Sequence, residues 1–191
     1  MRIINDDWGD AHKLGTELRV VEGTIARIRY LRLQNELLGS VNPEINTDKQ
    51  VLVTRMEVLG FRKEIVEALR ELDRKVYEAA KPLDFKGCMD LIRTILEEIV
   101  EDAARKSASA SGATLPPLGS KDFQPWNQFL VNVGAMSDKE GEVLQKLYNY
   151  LSTAGAHQLG SAPEQVRVAK NTLIEWGLLV VGRVQALKAA P

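Results

Sequence analysis

Hydrophobic side chains recur along the N-terminal part of this chain at the three- and four-residue spacing of an α-helix. The first such stripe lies within residues 10–38 and consists of Leu14, Leu18, Val21, Ile25 and Ile28. Gly39, Asn42 and Pro43 follow it and interrupt helical structure. The pattern therefore predicts one long helix that ends before residue 43.

A second stripe runs over residues 47–81. Thr47 and Gln50 have the spacing of a capping box, and Pro82 disfavours helix in the residue before it. The apolar members between these limits are Leu52, Met56, Leu59, Val66, Leu69 and Val76. Each of the two helices would be about 40–50 Å long at the usual rise per residue. We expect residues 1–82 to form a long helical hairpin that serves as a dimerisation or docking arm.

Shorter helical patterns follow the hairpin. A helix is predicted over residues 84–106, with an apolar side made of Cys88, Ile92, Ile95, Ile99 and Ala103. Residues 107–120 are mostly small, include two prolines and carry no charge, which predicts a mobile loop. A short helix is predicted over residues 122–133.

Two more capping boxes begin the last two predicted helices, at Ser137–Glu140 and at Ser161–Glu164. The first of these helices is expected to bury Val143, Leu144, Leu147, Tyr148 and Leu151. No segment alternates polar and apolar residues for long, and residues 178–181 (LLVV) lie within the last helical stripe. The predicted fold class is all-α: a long N-terminal helical hairpin (residues 1–82) followed by a four-helix up-down bundle (residues 83–191). The two long N-terminal stripes and the C-terminal stripe of Val180, Val184 and Leu187 offer more apolar surface than one hairpin and one small bundle can bury, and this predicts a homodimer.

Composition narrows the functional classes. The 191 residues are 45% hydrophobic and 27% charged, with 25 basic against 26 acidic side chains and a net charge of -1. This balance argues against binding nucleic acid by bulk charge alone. No apolar run reaches the roughly 18 residues of a membrane span, and the first ten residues have no signal-like segment. With a single cysteine, these features predict a cytoplasmic protein without a membrane association.

Familiar catalytic and cofactor motifs are missing, so no cofactor and no metal are implied. The chain has no phosphate-binding loop, dinucleotide fingerprint, zinc-protease motif or serine elbow. Cys88 could pair with His12 or His157 as a nucleophile, but its place on an apolar stripe favours a buried, inert thiol. The carboxylates of residues 97–102 resemble a metal site at first sight, and nearby arginines favour a salt-bridged surface instead.

A basic patch lies in the first predicted helix. Arg27, Arg29 and Arg32 surround Tyr30, an arrangement that could hold nucleic-acid phosphates and stack a base. The alternative is an ordinary polar helix face, whose positive charge Glu22 and Glu36 balance.

The segment around His157 carries the strongest functional signal. His157 lies in the predicted connection before the last helix, where a histidine suits anion contact or acid-base work. Arg167, Lys170 and Asn171 lie in the first turns of that helix, and Arg167, Asn171 and Glu175 share one face. These side chains form either a buried hydrogen-bond network or part of a functional site.

The C-terminal part, residues 84–188, resembles the HEPN-type helical domains of bacteria. The resemblance rests on CMDLIRTILEEI from Cys88 to Ile99, GAMSDKE from Gly134 to Glu140, and YNYLSTAGAH from Tyr148 to His157. It implies a four-helix domain that often dimerises and that binds RNA or a nucleotide in a defence or toxin–antitoxin context. His157 would be the acid-base group of a ribonuclease site.

The sequence departs from that pattern at one point. Active members carry an arginine a few residues before the histidine, whereas residues 150–153 here are YLST. Arg167 or Arg93 would then have to supply the positive charge. The alternative function is a non-enzymatic helical module for dimerisation or protein interaction.

Overall fold

A computed structural model describes residues 43–117, 123–156 and 163–189 of the chain. Every regular element in these ranges is a helix, which confirms the all-α prediction. The helices are α1 (Pro43–Val58), α2 (Lys63–Glu78), α3 (Pro82–Ser111), α4 (Phe123–Asn132), α5 (Asp138–Ala156) and α6 (Pro163–Ala189). The predicted helix over residues 10–38 lies outside the described residues. None of the described helices is both long and apolar enough to cross a membrane.

The second predicted helix is in fact two helices, α1 and α2, so the prediction of one continuous helix was wrong. Gly60 adopts a left-handed backbone with φ of 70°, and the amide of Phe61 donates to the Met56 carbonyl at 2.8 Å. Glycine at this position ends a helix at little steric cost. Thr47 lies inside α1 and does not cap it, because the helix already begins at Pro43.

The turn between α1 and α2 is attached to α3. The backbone amide of Arg62 donates to Asp102 Oδ2 at 3.0 Å, and Lys106 Nζ donates to the Gly60 carbonyl at 2.6 Å. The Lys106 ammonium also lies 5.1 Å from the centre of the Phe61 ring. Both sides of Pro82 therefore pack together within the unit Glu44–Pro191. The functional division at residue 82 stays a prediction.

Helix α3 contacts α2, α4, α5 and α6 and forms the centre of the core. Its predicted apolar side is buried, and Met89 and Leu96 are fully buried beside it. The helix continues to Ser111, so residues 107–111 are helical and not part of a loop as predicted. Alanine is compatible with helix, and the Ser111 hydroxyl donates to the Ser107 carbonyl at 2.8 Å. Gly112, with φ of 70°, ends the helix.

The capping box predicted at Ser137 is confirmed. The Ser137 amide donates to Glu140 Oε2 at 2.7 Å, and the Glu140 amide donates to Ser137 Oγ at 3.3 Å. Val143 was expected in the core of α5, yet 48% of it is exposed. On α5, Val143 lies outside the buried face to which Leu144 and Leu151 belong. The box predicted at Ser161 falls outside the described residues.

Helix α6 buries the stripe that the sequence predicts. Val180 and Val184 are each 1% exposed, and residues 178–181 are helical as expected. These valines fill the core of this chain, so they do not offer the free apolar surface that the dimer prediction assigned to them. The homodimer itself stays a prediction.

Candidate functional site

The structure describes four of the eight residues predicted for a functional site. Arg93 lies on α3, and Arg167, Lys170 and Asn171 lie on α6. The other four, His157 and the basic patch of Arg27, Arg29 and Arg32, lie outside the described residues.

Arg93 lies at the seam between α3 and α5, and its charged neighbours on α3 are beyond hydrogen-bond distance. Its Nε is 3.7 Å from Glu97 Oε1, and its Nη2 is 3.9 Å from Asp90 Oδ1. Both distances are ion-pair distances, longer than a hydrogen bond. The Nε atom is buried and makes no hydrogen bond, although 33% of the side chain is exposed. Arg93 thus presents a buried donor and a solvent-accessible charge at the same place.

Helix α5 adds two hydroxyl groups to this seam. Burial raises the pKa of the Tyr148 phenol, and the Glu97 carboxylate raises it further by hydrogen bonding and charge. Ser152 and the charge of Arg93 act in the opposite direction. The Ser152 hydroxyl is close enough to lower the pKa of Tyr148, but its buried oxygen makes no hydrogen bond of normal geometry. We call Arg93, Glu97, Tyr148 and Ser152 the Arg93 cluster.

Tyr148 is held in place by stacking. Its ring lies parallel to that of Phe123 at the start of α4, with centroids 4.3 Å apart and an interplanar angle of 4°. Stacked aromatic pairs restrict ring orientation as well as burying area. Three helices therefore position the Arg93 cluster: α3 supplies the charges, α5 the hydroxyls, and α4 the ring support.

The residues predicted on α6 do not form a buried network. Arg167 and Glu175 are exposed, and Asn171 is half-buried. The shared face that the sequence predicted for them therefore points largely to solvent. Among the interactions that the described residues make, none brings Arg167 to Arg93.

Lys170 has a structural partner that sequence reasoning missed. Its Nζ donates to Asp73 Oδ1 at 2.7 Å, and the buried Lys49 donates to Asp73 Oδ2 and to the Arg70 carbonyl. Burial alone would raise the pKa of Asp73, but hydrogen bonds from Lys170 and Lys49 outweigh it, and the pKa is lowered. This group ties α1, α2 and α6 together, and periodicity gives no signal for it because its members lie far apart in the chain.

The acidic segment of α3 is a salt-bridged surface, as the sequence favoured. Arg105 Nη2 lies 2.7 Å from Glu101 Oε1, and Arg62 forms an ion pair with Glu98. Within the described ranges, no group of three metal-ligating side chains occurs.

Cys88 is the buried thiol that the sequence predicts. It is 5% exposed and donates to the Lys75 carbonyl across 3.6 Å. Burial raises the pKa of this thiol, so the nucleophilic thiolate is disfavoured.

Comparison with known proteins gives no relative. No protein-family model matches the chain, and no curated protein or solved structure is significantly similar to it.

Proposed function

We propose that this chain is a HEPN-like helical domain that binds RNA or a nucleotide, with Arg93 as the phosphate contact. The observation that carries the proposal is the buried Nε of Arg93, which makes no hydrogen bond. A buried donor without a partner costs free energy, and a small shift of the partly exposed side chain that brought Nε to an oxyanion would relieve this cost. The planar guanidinium presents its donors in a fork that suits phosphate.

Further support comes from the neighbours of Arg93. Tyr148 and Ser152 add hydroxyl groups at the same seam, and hydroxyls accompany arginine in many phosphate contacts. The HEPN-type resemblance points to the same two helices, because its motifs contain Arg93 and Tyr148. In this proposal the protein acts in the cytoplasm, in a bacterial defence or toxin–antitoxin setting.

Catalysis is a separate part of the proposal. His157 would act as the acid-base group, and Arg93 or Arg167 would stabilise charge on the phosphate. If the protein cleaves RNA, His157→Ala abolishes cleavage while RNA binding persists. Loss of binding together with a large drop in melting temperature would instead assign His157 a structural role.

Binding is tested by titrating a labelled single-stranded RNA of mixed sequence at several salt concentrations. Arg93→Ala should weaken binding at least about tenfold, since a charge-assisted contact is lost. The slope of the logarithm of the binding constant against the logarithm of the salt concentration should also become less steep by about 0.7. Arg74→Ala is the matched control, because Arg74 is exposed and, among the described residues, pairs within α2 with Glu71 and Glu78. Absence of RNA and nucleotide binding by the unmutated protein would contradict the proposal.

A second candidate function is a helical module for protein association, including a homodimer. A groove of about 540 Å³ between α2 and α3 favours it. The groove is lined by apolar Ile65, Ala68, Leu91 and Ile95, with charged side chains at its rim. Light scattering of the unmutated protein and of Leu91→Glu tests this function. A mass near 21.2 kDa for the unmutated protein at tens of micromolar would contradict the homodimer.

A further inference from the structure

The groove between α2 and α3 has an apolar base and is open to solvent. Ile65 of α2 and Ile95 of α3 line it and are only 4% and 2% exposed, so they form its floor. Ala68 and Leu91 are half-buried and line its sides. The groove therefore offers apolar surface that two helices already hold in a fixed place.

The apolar lining continues along α3 towards the start of the helix. Leu91, Gly87 and Leu83 follow one another at four-residue spacing and therefore lie on one side of α3. Leu83 is 75% exposed, and a Cβ added at Gly87 would meet nothing within 4 Å. From Leu83 to Ile95 this side is about 18 Å long at the usual rise per residue. It has the length of about three turns of a helix, and Gly87 leaves room for a close approach.

The rim of the groove carries more negative charge than the chain itself neutralises. The Glu64 carboxylate on α2 takes part in none of the hydrogen bonds and ion pairs that the described residues make. Asp90, one turn before the groove residue Thr94, has Arg93 Nη2 as its ion-pair partner at 3.9 Å. Arg62 is the cation of the groove, and ion pairs with carboxylates of α3 already engage it. This charge balance is complementary to a basic partner.

We propose that the groove binds an amphipathic helix of a partner protein, whose lysines or arginines flank its apolar stripe. The stripe would lie over Leu91 and Gly87, and the flanking cations would approach Glu64 and Asp90. Helices bind in grooves through apolar anchors at helical spacing, and complementary charges determine which partner fits. The inference rests on the second candidate function, protein association, and does not depend on phosphate binding at Arg93.

The charge of the partner is tested with two synthetic peptides of about 16 residues, long enough to form a helix. Both carry leucines on one helical face, and that face is flanked by lysines in one peptide and by glutamates in the other. Fluorescence anisotropy measures their binding to the full chain. The lysine peptide should bind about threefold more tightly, as exposed ion pairs allow. Glu64→Lys should remove or reverse this preference.

The place of binding is tested with uncharged substitutions, so that the charge of the rim stays the same. Leu91→Gln should weaken binding of the lysine peptide at least about tenfold, because an apolar anchor in the groove is lost. Leu83→Gln changes a side chain that is 75% exposed, so the fold is retained, and binding should weaken about threefold. Val143→Gln is the matched control, since Val143 is 48% exposed on α5 and does not line the groove.

Four results contradict the proposal, and they separate it from the function on which it rests. Equal binding of the two peptides overturns the basic partner, and unchanged binding in both Leu91→Gln and Leu83→Gln overturns the groove as its site. A homodimer that Leu91→Glu dissociates shows that a second copy covers the groove, so the partner helix is overturned while protein association stands. Absence of peptide binding and of self-association overturns both.

Discussion

Helix α3 carries two charged clusters that are built in opposite ways. At its C-terminal half, Asp102 accepts a hydrogen bond from the Arg62 amide, and Lys106 lies 3.8 Å from the Asp102 carboxylate and donates to the Gly60 carbonyl. In its N-terminal half, the Nε atom of Arg93 is buried and makes no hydrogen bond. The first cluster is satisfied by the chain itself, whereas the second keeps a donor without a hydrogen-bond partner.

This difference separates groups that build the fold from groups available for function. Native chains pair nearly all of their buried polar atoms. Among the described buried side-chain atoms that lack a hydrogen-bond partner, Arg93 Nε is the one that belongs to a charged group. We therefore expect substitutions at the Asp102 side to affect stability and substitutions at the Arg93 cluster to affect binding.

The largest effect on stability is expected from Asp102→Ala. Asp102 is 5% exposed, and its loss leaves the amide of Arg62, the residue before α2, without its acceptor and Lys106 without its ion-pair partner. The free energy of unfolding should fall by about 3 kcal/mol, as when one partner of a buried charged pair is removed. Urea denaturation measures it, with Asp90→Ala on the same helix as the control. A loss below about 1 kcal/mol would contradict the view that this cluster holds α1 and α2 to α3.

Helices α1 and α6 also pack closely against each other, and substitution of Gly177 tests this contact. A Cβ added at Gly177 would lie 2.7 Å from Leu52 Cδ2, so Gly177→Ala forces the fully buried leucine to shift. We expect a loss of about 1–3 kcal/mol in unfolding free energy. Gly87→Ala is the matched control, since a Cβ there meets nothing within 4 Å. That change should stabilise α3 by about 0.5–1 kcal/mol. Equal effects of the two substitutions would show that the helices do not approach this closely.

A smaller, pH-dependent effect is expected at the start of α5. The Ser137 amide, Arg183 and the Ser137 hydroxyl all donate to Glu140 and lower its pKa to about 2. Because the pKa is lower in the folded chain than in the unfolded one, this stabilisation is complete above about pH 4.3 and is lost as the pH falls towards 2. Glu140→Gln should cost about 1 kcal/mol at pH 7. The difference from the unmutated protein should shrink below pH 4, and a difference that stays constant down to pH 2 would contradict this assignment.

The smallest stability effect is expected at the other cluster. Arg93→Ala removes an unbonded Nε and two contacts at ion-pair distance, so the unfolding free energy should change by no more than about 0.5 kcal/mol. Thermal and urea unfolding of this variant beside Asp102→Ala makes the comparison directly. A loss of 2 kcal/mol or more would place Arg93 among the residues that hold the fold.

Hydrophobic periodicity was sufficient to predict the helices of the core. The buried stripes of α3 and α6 were read correctly from spacing alone, because spacing determines which side of a helix is apolar. The break at Gly60 was missed since the stripe continues in phase from Leu59 to Val66 across the turn, which masks the glycine signal. The extension of α3 to Ser111 was missed because small residues suit both loops and helices.

The candidate site was predictable only in part. Arg93 was found through motif resemblance, whereas Tyr148 was counted as a core residue and Ser152 gave no signal. Asp102, Asp73 and Lys49 owe their roles to partners 21 to 97 positions away along the chain. Long-range polar pairing of this kind leaves no periodic trace in a single sequence.

The most direct test of the account is the NMR signal of the Arg93 Nε–H group during titration with RNA. The signal is assigned by its absence in Arg93→Lys, which keeps the charge but has no such group. We predict a large shift of this resonance and slower exchange with water on binding, since the donor gains a phosphate acceptor, while the Arg74 signal stays unchanged. An unperturbed Arg93 signal at saturating RNA would contradict the claim that this donor is the phosphate contact.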